Sequence, residues 1–109
     1  MDVWHEQQIA DSPYDLKVYL AYIDHARNSS NSIRYIIYEK ALSKLPGSYK
    51  LWKMYLHDRV LSLRGRRITD TRYNLVIKCF EASLVYMNRM PIIWLEYCKL
   101  MMNTNKGKC

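Results

Sequence analysis

The sequence predicts an all-α protein, an α-solenoid of antiparallel helix pairs with about two and a half repeats. Apolar residues recur at helical spacing along the whole chain of 109 residues, and no stretch alternates with the period of two that a half-buried strand requires. Short polar or proline-containing breaks divide this pattern into segments. A pair of aromatic residues three positions apart recurs on alternate segments, which is typical of a repeat protein.

The first repeat is expected to contain two helices. The first of them covers roughly residues 14–27 and includes Tyr19, and either Ser12 or Asp15 can cap its N-terminus. The second covers roughly residues 33–45 after the polar turn "NSSNS", which supplies its cap. Its apolar stripe consists of Ile33, Ile36, Ile37, Ala41, Leu42 and Leu45. A shorter helix is expected within about the first ten residues.

The second repeat follows the same plan. Its first helix is expected over roughly residues 49–63, with Ser48 as its cap. Its second helix is expected over roughly residues 71–88, with Asp70 or Thr71 as its cap. The apolar stripe of that helix consists of Tyr73, Val76, Ile77, Phe80, Leu84 and Met87.

A half repeat follows the break at Pro91, with one helix over roughly residues 92–102. Its stripe consists of Trp94, Tyr97, Cys98 and Met101. We therefore expect one segment of stacked repeats over the whole chain, residues 1–109. It divides into repeat 1 (about 14–46), repeat 2 (about 48–89), a half repeat (about 91–102) and a tail (about 103–109).

The aromatic pairs align when the segments are written under one another. They are Tyr19 with Tyr22, Trp52 with Tyr55, and Trp94 with Tyr97. In the helices that follow the first two pairs, Tyr38 and Glu39 align with Phe80 and Glu81. A cofactor box, a stacking platform for bases and a core stripe would each use such pairs. Because they recur once per repeat, we interpret them as packing residues between helices.

The net charge of +7 favours acidic partners such as nucleic acids or acidic protein surfaces. The main basic cluster consists of Arg59, Arg64, Arg66, Arg67 and Arg72. It is either a solvated loop or a binding site, since guanidinium groups bind both carboxylates and phosphates. Between an acidic protein segment and an RNA backbone we favour protein, because solenoids bind mainly through concave surfaces and exposed helix faces.

Several classes of function find no support in the residues. Glu39 and Glu81 recur with the repeat, so we expect them to cap or pair with neighbouring helices. The three histidines and three cysteines show no metal-ligand spacing, and no phosphate-binding glycine loop or nucleophile motif is present. The cysteines are expected to be buried free thiols, and no apolar run is long enough to span a bilayer. We expect a soluble intracellular protein that is not an enzyme and uses no cofactor, metal, membrane or small-molecule substrate.

Specific motifs resemble a known repeat family. The first helices read aromatic-x-x-Tyr and "YEKALSKLP" reads aromatic-Glu-Lys-Ala-Leu before a proline, which resembles the HAT (half-a-tetratricopeptide) repeat of RNA-processing proteins. "IIYEKALSKLPGSYKLWKMYLHDR" and "TDTRYNLVIKCFEASLVYMNRMPIIWLEYCKLMM" look like the N-terminal repeats of Syf-type pre-mRNA splicing factors, the family that includes the XPA-binding protein. Tyr19 stands where tryptophan is usual, and Ala82 and Ser83 replace the usual basic residue and alanine.

The resemblance implies a non-catalytic protein–protein scaffold of the spliceosome, in the Prp-nineteen-associated complex, that acts in pre-mRNA splicing in the nucleus. Its partners would be other spliceosomal proteins, with at most a weak RNA contact. Two alternatives stay open: an RNA-binding module that uses the arginine-rich loop, and a generic tetratricopeptide-like peptide receptor. Members of the family carry many repeats, so we expect this chain to be a fragment or a truncated or split gene product, with one face of its last helix uncovered.

Overall fold

The computed structural model describes residues 3–64 and 71–105, and these ranges contain helices and no strand. The helices are α1 (Val3–Asp11), α2 (Leu16–His25), α3 (Asn31–Lys44), α4 (Tyr49–Leu61), α5 (Thr71–Tyr86) and α6 (Pro91–Asn105). The all-α class and the five expected helices are confirmed, and α1 matches the additional short helix allowed for the first ten residues. The helices form two compact units, one that ends at Leu51 and one that begins at Trp52.

Polar side chains set where three of the helices begin. The Asp15 carboxylate accepts a hydrogen bond from the backbone N–H of Lys17 at 3.0 Å, so Asp15 rather than Ser12 is the N-cap of α2. Ser30 and Ser48 each accept from the backbone N–H three residues later, at 3.5 Å and 3.3 Å. Each cap provides an acceptor for an N–H that has no partner inside the helix. The predicted caps of α3 and α4 are therefore confirmed.

In the first unit, α1 packs against α2 and α2 packs against α3. Its buried apolar residues include Ile9, Tyr19, Tyr22, Ile23, Ala26, Ile37, Tyr38, Ala41 and Leu42. The buried face of α3 includes Tyr38, whereas Ile33 and Ile36 are 39% and 50% exposed. The stripe predicted for this helix was therefore wrong at Ile33 and Ile36, because the face that meets the core is rotated toward Tyr38.

In the second unit, α5 packs against α6, and α4 contacts α5 through ring and hydroxyl contacts of its aromatic residues. Its buried residues include Trp52, Tyr55, Leu56, Leu63, Val76, Phe80, Ser83, Met87, Ile93 and Leu100. Pro91 is the first residue of α6, where its missing N–H costs nothing. The helix continues to Asn105, into the segment predicted as a tail. After Pro91, no proline or glycine occurs in the sequence before Gly107.

The face that α6 buries differs from the predicted stripe. Ile93 and Leu100 are 4% and 6% exposed, whereas Trp94 is 42% exposed. Cys98 is also exposed and Cys79 is half-buried, so the expectation of buried thiols was wrong for Cys98. The helix is apolar on more than one side, and tertiary packing selects the side of Ile93. Within the described ranges, no helix combines the length and hydropathy needed to cross a membrane.

Replacing Asp15 with alanine is expected to lower the free energy of unfolding by about 1 kcal/mol, because the first turn of α2 loses its acceptor. Asp15→Asn keeps an acceptor at this position and should cost much less. Urea unfolding followed by circular dichroism measures both variants. An unchanged midpoint for Asp15→Ala would contradict the capping role.

Candidate partner-binding surface

The structure places the aromatic pairs of the first two repeats inside and the third pair near the surface. The exposed fractions are 0% for Tyr19, 2% for Tyr22, 5% for Trp52, 3% for Tyr55 and 42% for Trp94, and Tyr97 is half-buried. A base or cofactor can stack only on an aromatic face that it can reach. Burial of the first two pairs therefore supports a packing role, while the outer side of Trp94 is accessible.

The second helices of the two repeats bury equivalent positions. Tyr38 and Phe80 are 5% and 2% exposed, and Ala41 and Ser83 are both fully buried. Ser83 departs from the alanine of the repeat motif, but its hydroxyl donates to the backbone carbonyl of Phe80 at 2.6 Å. A small side chain with its hydrogen bond satisfied is accommodated in a packed helix interface. Serine at position 83 is therefore small enough for the helix interface, as alanine would be.

The two repeated glutamates lie on the exposed side of their helices. The hydroxyl of Tyr97 donates to Oε2 of Glu81 at 3.0 Å, which links α6 to α5. Partial burial of the Tyr97 phenol raises its pKa above the usual value, and the hydrogen bond to Glu81 adds to this increase. Glu81 therefore pairs with a neighbouring helix. Glu39 is exposed on α3.

Arg59 differs from the other arginines of the predicted cluster. Its side chain is half-buried, and two of its guanidinium nitrogens donate to the hydroxyl oxygen of Tyr55 at 3.2 and 3.0 Å. The guanidinium carbon also lies 5.3 Å from the centre of the Tyr55 ring. The same hydroxyl lies 3.5 Å from the sulfur of Cys79 on α5. Arg59 thus has a role inside its own unit, where it orders Tyr55.

The remaining arginines divide into two groups. Arg64 and Arg72 are exposed, one before and one after residues 65–70. Arg66 and Arg67 lie outside the described residues. Arg64 and Arg72 are therefore accessible to solvent, and Arg59 is half-buried and donates to Tyr55.

A carboxylate that the sequence analysis missed connects three helices of the first unit. Oε1 of Glu6 accepts from the hydroxyl of Tyr22 at 3.2 Å, and Oε2 accepts from Nζ of Lys40 at 2.7 Å. Glu6, Tyr22 and Lys40 lie on α1, α2 and α3. These partners are 16 and 34 residues from Glu6 in the sequence. No local sequence pattern indicates such a contact.

The outer side of α6 carries a shallow, open depression of about 420 Å³. Its lining consists of Asn88, Arg89, Pro91, Trp94, Leu95 and Cys98. The indole N–H of Trp94 donates to the backbone carbonyl of Asn88 at 2.7 Å, which fixes the ring at its edge. Leu95 and Met102 are 60% and 73% exposed on the same helix. This side of α6 is therefore suited to contact with another apolar surface.

The residues described by the structure contain no group of three or more histidine, cysteine, aspartate or glutamate side chains that could hold a metal ion. The accessible groups of the second unit include apolar side chains on α5 and α6 and basic side chains near the ends of α4 and α5. Apolar and cationic groups on exposed helices form contacts with macromolecules. The geometry therefore favours recognition through helix faces.

Comparison with known proteins agrees with this architecture. The family described as "Pre-mRNA-splicing factor Syf1/CNRKL1 N-terminal HAT repeat" matches residues 1–108. The pre-mRNA-splicing factor syf1 homolog of Drosophila melanogaster is 44% identical over 96 residues, which are 88% of this chain and 11% of the relative. The SYF1 proteins of Dictyostelium discoideum and Homo sapiens are 38% and 35% identical over 105 residues. These residues are 96% of this chain and 12% of each relative, so the chain spans about an eighth of their length.

The equivalent tryptophans of the second and third repeats are expected to differ in their effect on stability. Trp52→Ala should lower the free energy of unfolding by about 3–5 kcal/mol, because it removes a buried indole. Trp94→Ala should cost roughly half as much or less, since much of that ring is already in water. Denaturant unfolding of the two variants provides the comparison. Equal losses would contradict the assignment of Trp52 to the interior.

Proposed function

The chain belongs to the N-terminal HAT-repeat family of Syf1/CNRKL1 pre-mRNA-splicing factors, and we propose that it acts in pre-mRNA splicing as a non-catalytic scaffold that holds proteins together. The observation that carries this proposal is the family match over residues 1–108. The relatives named above are pre-mRNA-splicing factors by name. The scaffold role is inferred from how this chain divides its residues between interior and surface.

The interior residues support a structural role for the repeat motif. The aromatic positions of the first two repeats are buried, and so are the small residues Ala41 and Ser83. Aromatic rings that are buried between helices offer no accessible face on which a base or cofactor could stack. A scaffold of this kind binds partner proteins through its surface, and it makes or breaks no covalent bond.

The surface supports protein partners in particular. Apolar side chains such as Val85, Leu95 and Met102 are 60–73% exposed on α5 and α6. They therefore contribute little to the core of their unit. Exposed apolar groups beside basic residues are typical of protein interfaces. A site that bound only the phosphates of RNA would gain nothing from these apolar groups.

The site of action proposed for the chain is the nucleus, in the Prp-nineteen-associated complex of the spliceosome. The resemblance to Syf-type factors motivates both statements. Other spliceosomal proteins are the proposed partners, without a cofactor or a small-molecule substrate. An RNA-binding module is the second candidate, favoured by one observation: Arg64 and Arg72 are exposed on either side of the arginine-rich segment.

A pull-down from nuclear extract separates the two candidates. The tagged chain is incubated with extract, washed at low and at high salt, with and without RNase, and the bound proteins are identified by mass spectrometry. A protein scaffold should retain a defined set of splicing proteins after both treatments, because apolar contacts resist salt and do not need RNA. Loss of all of them after RNase treatment would favour the RNA-binding module.

A pair of charge-matched variants sharpens the result. One variant replaces Arg64, Arg66 and Arg67 with alanine, and the control replaces the exposed Lys17, Lys50 and Lys53 with alanine. Each removes three positive charges. An RNA-binding module that uses the arginine-rich loop should lose its partners in the first variant only. A scaffold with its main contacts on helix faces should keep most of them in both.

A further inference from the structure

One side of α5 points away from its packed side and forms a continuous surface. We call it the α5 outer face, and it consists of Leu75, Lys78, Ala82, Val85 and Tyr86 of α5 together with Arg89, which lies in the turn three residues after the helix ends. All six residues are exposed, with Leu75 at 53%, Val85 at 73% and Tyr86 at 55%. The opposite side carries the buried Val76 and Phe80. From Leu75 to Val85 the face is about 15 Å long.

One apolar group of the α5 outer face, the ring of Tyr86, contacts a buried residue of α4. The ring of Tyr86 is stacked near that of Trp52, with 6.2 Å between centroids and an angle of 22° between the planes. Trp52 is itself buried. A side chain whose position is already fixed loses little conformational entropy when a partner binds. Tyr86 can therefore contact a partner at one end of the face with little loss of conformational entropy.

The charge on this face has one sign. Lys78 and Arg89 lie among the apolar residues, and the exposed Arg72 lies beside them at the start of the helix. Glu81 is the only acidic residue of α5. It lies toward α6, where one of its oxygens accepts the hydroxyl of Tyr97. A cationic partner would be repelled, and an uncharged one would desolvate Lys78 without compensation.

We propose that the α5 outer face binds an acidic amphipathic helix of another protein. This inference rests on the scaffold function proposed above and identifies one surface and the chemistry of its partner. The apolar stripe of the bound helix packs over Leu75, Val85 and Tyr86, and glutamate or aspartate side chains at its borders pair with Lys78 and Arg89. A helix fits because the face is a straight ridge of side chains, which a second helix can pack against along its length.

The probe for this proposal is a fluorescein-labelled peptide of about 18 residues with leucines on one helical face, glutamates on both borders and alanines elsewhere. A second peptide carries lysines in place of the glutamates. Binding to the whole chain is measured by fluorescence anisotropy at low and at high salt. We expect the glutamate peptide to bind and the lysine peptide to fail. No binding of the glutamate peptide would overturn the proposal.

Two double variants locate the surface. Leu75→Ser with Val85→Ser should weaken binding of the glutamate peptide by about tenfold or more, because both apolar contacts are lost. Val3→Ser with Ile36→Ser removes two exposed apolar groups, 82% and 50% exposed, from the unit that ends at Leu51, and should leave the affinity unchanged. If only this control variant loses binding, the proposal is overturned. Circular dichroism confirms that both variants keep their helices, as expected for exposed positions.

Two further experiments reverse the charges of Lys78 and Arg89 and test whether RNA competes with the peptide. Lys78→Glu with Arg89→Glu should abolish binding of the glutamate peptide and allow binding of the lysine peptide. A single-stranded uridine oligonucleotide that competes with the peptide and binds the Leu75→Ser, Val85→Ser variant normally would assign the face to RNA and overturn the proposal. If the peptide fails while splicing proteins are still captured from nuclear extract, only this inference is lost and the scaffold function stands.

Discussion

Burial of one large aromatic residue in the first helix of each pair is the interaction on which the structure most depends. Tyr19 and Trp52 occupy this position, at 0% and 5% exposure. Burying a side chain of this size removes about 150–250 Å² from water, which is worth roughly 4–6 kcal/mol at 25 cal/mol per Å². The net stability of a domain is only about 5–15 kcal/mol. Loss of a single such residue therefore removes a large part of what keeps a helix pair folded.

The composition follows from the same interaction, because the chain has ten tyrosines and one phenylalanine. A tyrosine buries its ring while its hydroxyl finds a partner at the edge of the interface. Tyr19 donates to the carbonyl of Pro13 at 2.6 Å, and burial raises the pKa of this phenol. The hydroxyls of Tyr22, Tyr55 and Tyr97 meet Glu6, Arg59 and Glu81, respectively. The repeat thus combines apolar packing with oriented polar contacts, which leaves the outer helix faces for partners.

The sequence predicted the local features of the fold well and the tertiary features less well. Helices and caps such as Ser30 and Ser48 depend on residues a few positions apart, so the pattern contains them. Which side of α6 meets the core depends on α5, and the stripe that included Trp94 was therefore misplaced. Glu6 contacts Lys40, 34 residues away, and only the fold brings these two residues together. Arg59 lies four residues from Tyr55, and their contact depends on the rotamer that the arginine adopts. Repetition itself predicted a packing role for the aromatic pairs, and burial of the first two pairs supports that prediction.

The second repeat buries Trp52, whereas Trp4 and Trp94 lie at the surface. Three single-tryptophan chains, each with the other two tryptophans replaced by phenylalanine, allow acrylamide quenching of Trp4, Trp52 and Trp94 to be measured separately. Trp4 and Trp94 are 62% and 42% exposed, against 5% for Trp52. Trp52 should show blue-shifted emission and the weakest quenching, because its ring is buried. Quenching of Trp52 as strong as that of Trp4 in a folded chain would contradict it.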